Sequence, residues 1–85
     1  MRKRKEPLWS GKQIRELRQA ANLSQVEVEK LTGGLVHRMV LSFVENGHRT
    51  LSAEQEAAVH RVLTRAVRNR ARTISKAAAQ AERLA

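Results

Sequence analysis

Residues 24–47 read SQVEVEKLTGGLVHRMVLSFVENG, and this stretch predicts two helices joined by a turn. Ser24 and Glu27 form a capping box, in which each side chain accepts a hydrogen bond from the other residue's backbone N–H. The pair Gly33-Gly34 ends this helix, because neighbouring glycines favour a turn. A further helix is expected over about Leu35 to Glu45, since the following Asn46-Gly47 tolerates the left-handed backbone that closes a helix.

Two more helical segments flank this stretch. One runs from about Gly11 to Ala21, where apolar residues recur on one face at helical spacing. The other begins at a second capping box, formed by Ser52 and Gln55, and continues as either one long helix or two. We therefore predict an all-α fold with four to five helices. The apolar residues at helical spacing are expected to form its core: Ile14, Leu17, Leu23, Val28, Leu31, Val36, Leu41, Val44, Leu51 and Val59.

Positive charge dominates the chain and is unevenly distributed. Seventeen Lys and Arg residues against eight Asp and Glu residues give a formal net charge of +9. One basic group opens the chain, and another lies in a segment without acids: Arg2, Lys3, Arg4 and Lys5, and then Arg61, Arg65, Arg68, Arg70, Arg72 and Lys76. Such an excess attracts polyanions at long range. Nucleic acid is therefore favoured as the partner over an anionic membrane surface, or over charge that serves only solubility.

The composition argues against several other classes of protein. The chain has no cysteine, and its three histidines lack the spaced partners of a zinc site, so we expect no metal and no cofactor. No apolar run approaches the roughly 18 to 20 residues needed to span a bilayer, and no signal peptide follows the basic start. No catalytic set of residues is visible. We expect a cytoplasmic, nucleoid-associated protein that is not an enzyme and does not bind a membrane.

Four short segments resemble the helix-turn-helix family of the phage repressors and Cro proteins, the xenobiotic-response-element type. They are Ile14-Arg15-Glu16-Leu17-Arg18, Leu23-Ser24-Gln25, Leu31-Thr32-Gly33 and Val44-Glu45-Asn46-Gly47. The resemblance implies a repressor-like helix-turn-helix domain at 11–63, after a basic arm at 1–10 and before a C-terminal helix at 64–85. It implies a sequence-specific regulator of transcription, a repressor that occupies a palindromic operator in double-stranded DNA as a homodimer.

The resemblance also implies roles for single residues. Arg18 and Glu45 should form an ion pair that ties the first helix to the end of the third. Gln25 stands where a helix N-terminus meets a DNA phosphate in the family. Further contacts to the DNA backbone are expected from the loop after the third helix, from the first helix and from the arm: Asn46, His48, Arg49, Lys12, Arg2, Lys3, Arg4 and Lys5.

Counting back from Glu45, the base-facing positions of the third helix are His37, Arg38, Met39 and Phe43. Arg38 can bond two acceptors on guanine, and Met39 or Phe43 can contact a thymine methyl group. This helix is more apolar than a typical reading helix. Met39, Val40 and Phe43 therefore have a second interpretation, as a surface for a protein partner.

The turn between the second and third helices departs from the family's pattern. The distance from Gln25 to Glu45 is two residues longer than usual, and we place the extra length at Gly33-Gly34-Leu35. Glu29 stands where the family has a small residue. This predicts either a slightly splayed helix pair or a carboxylate that reaches solvent.

The C-terminal segment has an apolar seam typical of a coiled coil, with spacings that alternate between four and three and with Arg70 as an interruption. Its apolar members are Leu63, Val67, Ile74, Ala77, Ala81 and Leu84. We predict dimerisation through this seam, and packing of the helix back on the domain is the alternative. A second stripe on another face is either solvated or contacts phosphates beyond the half-site: Arg61, Arg65, Arg68 and Arg72.

Two other functions compete with a DNA-binding repressor. One is a protein-interaction module, such as an antirepressor or an antitoxin-like partner, that uses the apolar third helix. The other is RNA binding through the arginine stripe. The scarcity of aromatic residues argues against single-strand recognition but leaves duplex RNA open.

Overall fold

The computed structural model describes residues 9–84, which form four helices and no strand. The helices are α1 at Gly11–Ala20, α2 at Gln25–Leu31, α3 at Arg38–Glu45 and α4 at Ala53–Leu84. The all-α prediction is confirmed, and α4 is one unbroken helix. The basic arm with Arg2, Lys3, Arg4 and Lys5 lies outside the described residues. Within the described range, no helix is both long enough and apolar enough to cross a membrane.

Capping boxes fix the starts of three helices. The box predicted at Ser24 is present, with Glu27 N–H donating to Ser24 Oγ at 3.0 Å and Ser24 N–H donating to Glu27 Oε1 at 2.8 Å. The box predicted at Ser52 and Gln55 is present as well. A further box, in which Ser10 pairs with Gln13, begins α1. These reciprocal bonds satisfy backbone donors that the first turn of a helix otherwise leaves unpaired.

The third helix begins at Arg38 rather than near Leu35, because the preceding turn is long. Gly33 and Gly34 have φ values of +67° and +83°, which interrupt the helical path after α2. The Thr32 hydroxyl donates to the Glu29 carbonyl at 2.9 Å and accepts from the Val36 N–H at 3.3 Å. Val36 itself is fully buried. The turn therefore contains Gly33, Gly34 and Leu35, and α3 begins three residues later than expected.

The core lies where α1, α2, α3 and the first half of α4 meet. Six predicted members are buried: Ile14, Val28, Val36, Leu41, Val44 and Val59. Three more are partly buried and pack against this cluster: Leu17, Leu23 and Leu51. Leu31 was predicted to be buried but is 57% exposed, because it is the last residue of α2 and lies at the rim of an open groove beside α4.

Leu63 corrects the prediction for the C-terminal seam. Its side chain is completely buried in the core, so it is not available to a second chain. From Arg68 to Leu84, by contrast, every residue of α4 is exposed. Trp9 packs against the core and places its ring 4.7 Å from the His60 ring of α4. The helix thus belongs to the domain in its first half and extends beyond the core in its second.

Candidate nucleic-acid interface

One face of α3 is exposed and carries the residues predicted to read bases. Arg38, Met39 and Phe43 are exposed on it, with Met39 at 51% and Phe43 at 46%. Leu41 and Val44 on the opposite face are buried in the core. Ser42 lies on the same face between Arg38 and Phe43 and is partly exposed. Its spacing of four residues from Arg38 places it there. The helix therefore presents one mixed basic and apolar surface.

The start of α3 is held by side chains on both sides of the turn. His37 is the N-cap residue, and its Nδ1 accepts a hydrogen bond from the Met39 N–H at 3.1 Å. Glu29 Oε1 accepts one from the Arg38 N–H at 3.0 Å. The Glu29 carboxylate thus caps α3, where an anion is favoured by the exposed N–H groups and the helix dipole. Sequence reasoning expected it to splay the helices or to reach solvent, and it missed this role.

The end of α3 is held by Glu45, whose side chain is only 1% exposed. Arg18 donates to both carboxylate oxygens, from Nε at 2.7 Å and from Nη2 at 2.9 Å, so the expected ion pair is present. The hydrogen bond to Glu45 raises the pKa of Arg18 above its usual value, outweighing the opposite effect of burial. Arg18 therefore stays charged at neutral pH.

Gln25 serves the same buried cluster. Its side-chain amide donates to Glu45 Oε1 at 3.1 Å, and the residue is only partly exposed at the first position of α2. The side chain predicted to meet a phosphate thus joins α2 to α3 in this structure. Glu45 consequently links three helices through Arg18, Gln25 and its own position on α3.

Arg15 connects this cluster to the loop that follows α3. Its Nη2 donates to the Glu45 carbonyl at 3.2 Å and to Asn46 Oδ1 at 2.7 Å. The Asn46 amide in turn donates to the Ser42 carbonyl at 2.9 Å. Sequence reasoning missed Arg15, although its spacing of three from Arg18 places both on one face of α1. Arg15 fixes the orientation of Asn46, one of the residues predicted to contact the DNA backbone.

The remaining predicted backbone ligands in the described range are exposed near this end of α3. His48 and Arg49 lie in the loop after Gly47, and Lys12 lies in the first turn of α1. The start of α1 touches the end of α3 so closely that a Cβ on Gly11 would overlap the Val44 carbonyl oxygen. Only glycine permits this approach. It brings Lys12 close to the end of α3, where the basic loop begins.

In the described part of the chain, no three His, Asp or Glu side chains cluster in a way that could hold a metal ion. Every buried side-chain nitrogen or oxygen between residues 9 and 84 has a hydrogen-bond partner. The polar groups that converge around Glu45 are thus satisfied by each other. Their hydrogen bonds hold the end of α3 in place beneath its exposed face.

Comparison with known families agrees with the resemblance to a helix-turn-helix domain. A family model described as helix-turn-helix matches residues 14–58, which run from α1 into the first turns of α4. No curated protein and no solved structure matches the chain. The matched range contains α2, the long turn and α3, and therefore the whole exposed face described above.

Proposed function

The chain belongs to the helix-turn-helix family of the phage repressor and Cro type, a family of DNA-binding transcription regulators, and we propose that it is a repressor that binds a palindromic operator as a homodimer. In this proposal α3 enters the major groove and its exposed face reads the bases. The observation that carries the proposal is this face, because it combines an exposed guanidinium with two half-exposed apolar side chains on a helix fixed at both ends.

Two kinds of basic residue have different tasks in this proposal. Arg38, in the first turn of α3, bonds the acceptor edge of a guanine, and Met39 or Phe43 packs against a thymine methyl group. Arg49, His48 and Lys12 near the end of α3 grip phosphates without reading sequence. Asn46, whose side chain Arg15 holds, adds a phosphate contact in this proposal.

The homodimer is supported by the exposed second half of α4. Most of the apolar residues predicted to form the seam are exposed there, and Ile74 and Leu84 are 55% and 78% exposed. Large apolar side chains along one side of an extended helix commonly mark an interface. A two-fold dimer would present two copies of α3 to two half-sites of opposite orientation.

The experiment that tests the proposal is selection of bound sequences from a random duplex pool, followed by two substitutions. Arg38→Ala should cost about 1 to 3 kcal/mol and relax the preference at one base pair in each half-site. Arg49→Ala should weaken binding to all duplexes about equally and reduce the slope of log K against log salt by roughly 0.9 for each phosphate that the variant no longer neutralises. Arg83→Ala, in the last turn of α4, is the matched control because it removes one exposed positive charge far from α3.

The half-exposed Met39 and Phe43 support one alternative, a protein-interaction module that uses the same face of α3. Arg38→Ala could leave the base preference intact while Met39 or Phe43 substitutions abolish binding to a protein partner. In that case the protein-interaction module replaces sequence-specific DNA binding as the function of α3. A pool that yields no enriched duplex would likewise contradict the proposed function.

A further inference from the structure

A continuous apolar stripe runs along the second half of α4. Its members recur at alternating spacings of four and three: Val67, Ala71, Ile74, Ala78 and Ala81. Ile74 lies eleven residues, or about three turns, beyond Leu63 and so continues the side of α4 that is buried in the core. Val67 is partly buried at the edge of the domain, and the other four are exposed. This stripe avoids Arg70, which the seam predicted from the sequence had to include.

The charges along α4 discriminate between the two ways in which two such stripes can pair. Between Ala57 and Lys76 the helix has six basic residues and no acid, whereas 77–84 contains one acid and one base, Glu82 and Arg83. A parallel pair sets each arginine beside its own copy, at helix separations of about 8 to 10 Å. An antiparallel pair centred near Lys76 sets Arg68, Arg70 and Arg72 of each helix beside residues 80–84 of the other, which lessens that repulsion.

The spacing of the stripe determines which residues of the two copies face each other in the antiparallel pair. In an antiparallel pair centred near Lys76, Ala71 faces Ala81 of the second copy and Ile74 faces Ala78 of the second copy. Arg68 and Glu82 flank the stripe on the same side, seven residues before and seven residues after Ser75, so each Arg68 meets Glu82 of the second copy. Glu82 is the only acid of α4 after Glu56.

We propose that two copies of this chain pair through the α4 stripe in an antiparallel arrangement, with Arg68 of each copy against Glu82 of the other. The inference rests on the proposed homodimer and specifies its geometry. The dyad crosses the paired helices near Lys76, and the two helix-turn-helix domains lie at opposite ends of the pair. The spacing of the half-sites is then set by the length of α4 between the domain and the dyad.

Cysteine cross-linking tests the arrangement cleanly, because the chain contains no cysteine. We expect the double variant Ala71→Cys/Ala81→Cys to form a disulfide-linked dimer on mild oxidation, while each single variant stays unlinked. In the antiparallel pair, the two copies of residue 71 lie about 15 Å apart along the axis, too far for a disulfide. Linking of a single variant to itself would show parallel pairing, and absence of a link in all three variants would show pairing elsewhere. Either result overturns the proposal.

Charge exchange provides an independent test of the register. Arg68→Glu alone and Glu82→Arg alone should each raise the dimer dissociation constant roughly tenfold, since two symmetric attractive pairs become repulsive, and the double exchange should restore it. Arg72→Glu is the matched control, with the same change of charge on a face of α4 turned away from the stripe. A double variant as weak as the single ones contradicts the Arg68 and Glu82 pairing.

Duplex selection with the same variants separates this inference from the proposed function. Selective DNA binding without the expected cross-link overturns the antiparallel pairing and leaves the proposed DNA-binding function supported. The expected cross-link without enrichment of any duplex supports the pairing and contradicts the proposed function.

Discussion

Glu45 joins three helices through hydrogen bonds of its side chain. Its carboxylate accepts hydrogen bonds from Arg18 of α1 and Gln25 of α2, and its carbonyl accepts one from Arg15. The Glu45 carboxylate is almost entirely shielded from water. Removal of Arg18 or of Glu45 therefore leaves the charge of the other residue poorly solvated. Glu45 immediately precedes Asn46 and the basic loop. The residue that stabilises the fold thus also holds the start of the predicted DNA surface.

Glu45→Ala should therefore lower the free energy of unfolding by about 3 kcal/mol, which corresponds to a fall in Tm of roughly 12 to 24 °C for a domain of this size. Thermal unfolding followed by circular dichroism measures this. Glu16→Ala is the control, because Glu16 is exposed on α1 and its loss should change stability by about 0.5 kcal/mol or less. A melting curve for Glu45→Ala that matches the parent protein would contradict the structural role of the pair.

At the scale of elements, α3 is a short helix whose orientation depends on its neighbours. It has only eight residues, and a helix of that length is unstable in isolation. Its start is bonded to Glu29 of α2, and Asn46 at its end is bonded to Arg15 of α1. The Glu29 carboxylate bridges α2 and α3, so it limits movement of the long turn and contributes to the angle of the exposed face.

Substitutions at Glu29 should separate the effect of its charge from the effect of its hydrogen bond. Glu29→Gln and Glu29→Ala both remove a negative charge near the predicted DNA surface, so both should strengthen binding to nonspecific duplex to a similar extent. Only Glu29→Ala removes the acceptor, at a cost of about 0.5 to 2 kcal/mol in stability, and only it should lower the ratio of specific to nonspecific affinity. Fluorescence anisotropy with a selected and a scrambled duplex measures both. Equal ratios for the two variants would show that the cap does not orient α3.

At the scale of the whole molecule, α4 combines two structural roles. It has 32 residues and is therefore about 48 Å long. Its first half completes the core through Val59 and Leu63, and its second half is exposed along every side. The helix continues past the core because no Gly or Pro interrupts it and Ala, Arg and Gln favour helix. The partly buried residues of α4 end at Val67, so we propose to divide the protein after Val67 rather than at Leu63.

Truncation after Asn69 should yield a monomer that unfolds at nearly the Tm of the full chain, because the buried residues of α4 are retained. Its affinity for a palindromic operator should fall on the order of 10²-fold or more, since the two half-sites are no longer bound by linked domains. Sedimentation and operator titration measure the two effects. A truncated protein that still sediments as a dimer would place the interface within the domain.

The sequence by itself determined the local features of this protein. The capping boxes at Ser24 and Ser52 and the left-handed Gly47 were all predicted, because each depends on residues within about four positions along the chain. Helical periodicity identified most of the core for the same reason. The ion pair between Arg18 and Glu45 spans 27 residues, and only the resemblance to a known family predicted it.

The tertiary structure decided which side chains meet across the turn and between helices. The bonds from Arg38 N–H to Glu29 and from Arg15 to Asn46 join residues nine and 31 positions apart, and both depend on the path of the turn and on the angles between helices. The same packing buries Leu63 and leaves Leu31 at the rim, although both are apolar residues at helical spacing. Periodicity identifies which side of a helix is apolar, but the position of the neighbouring helices determines how far along its length that side is covered.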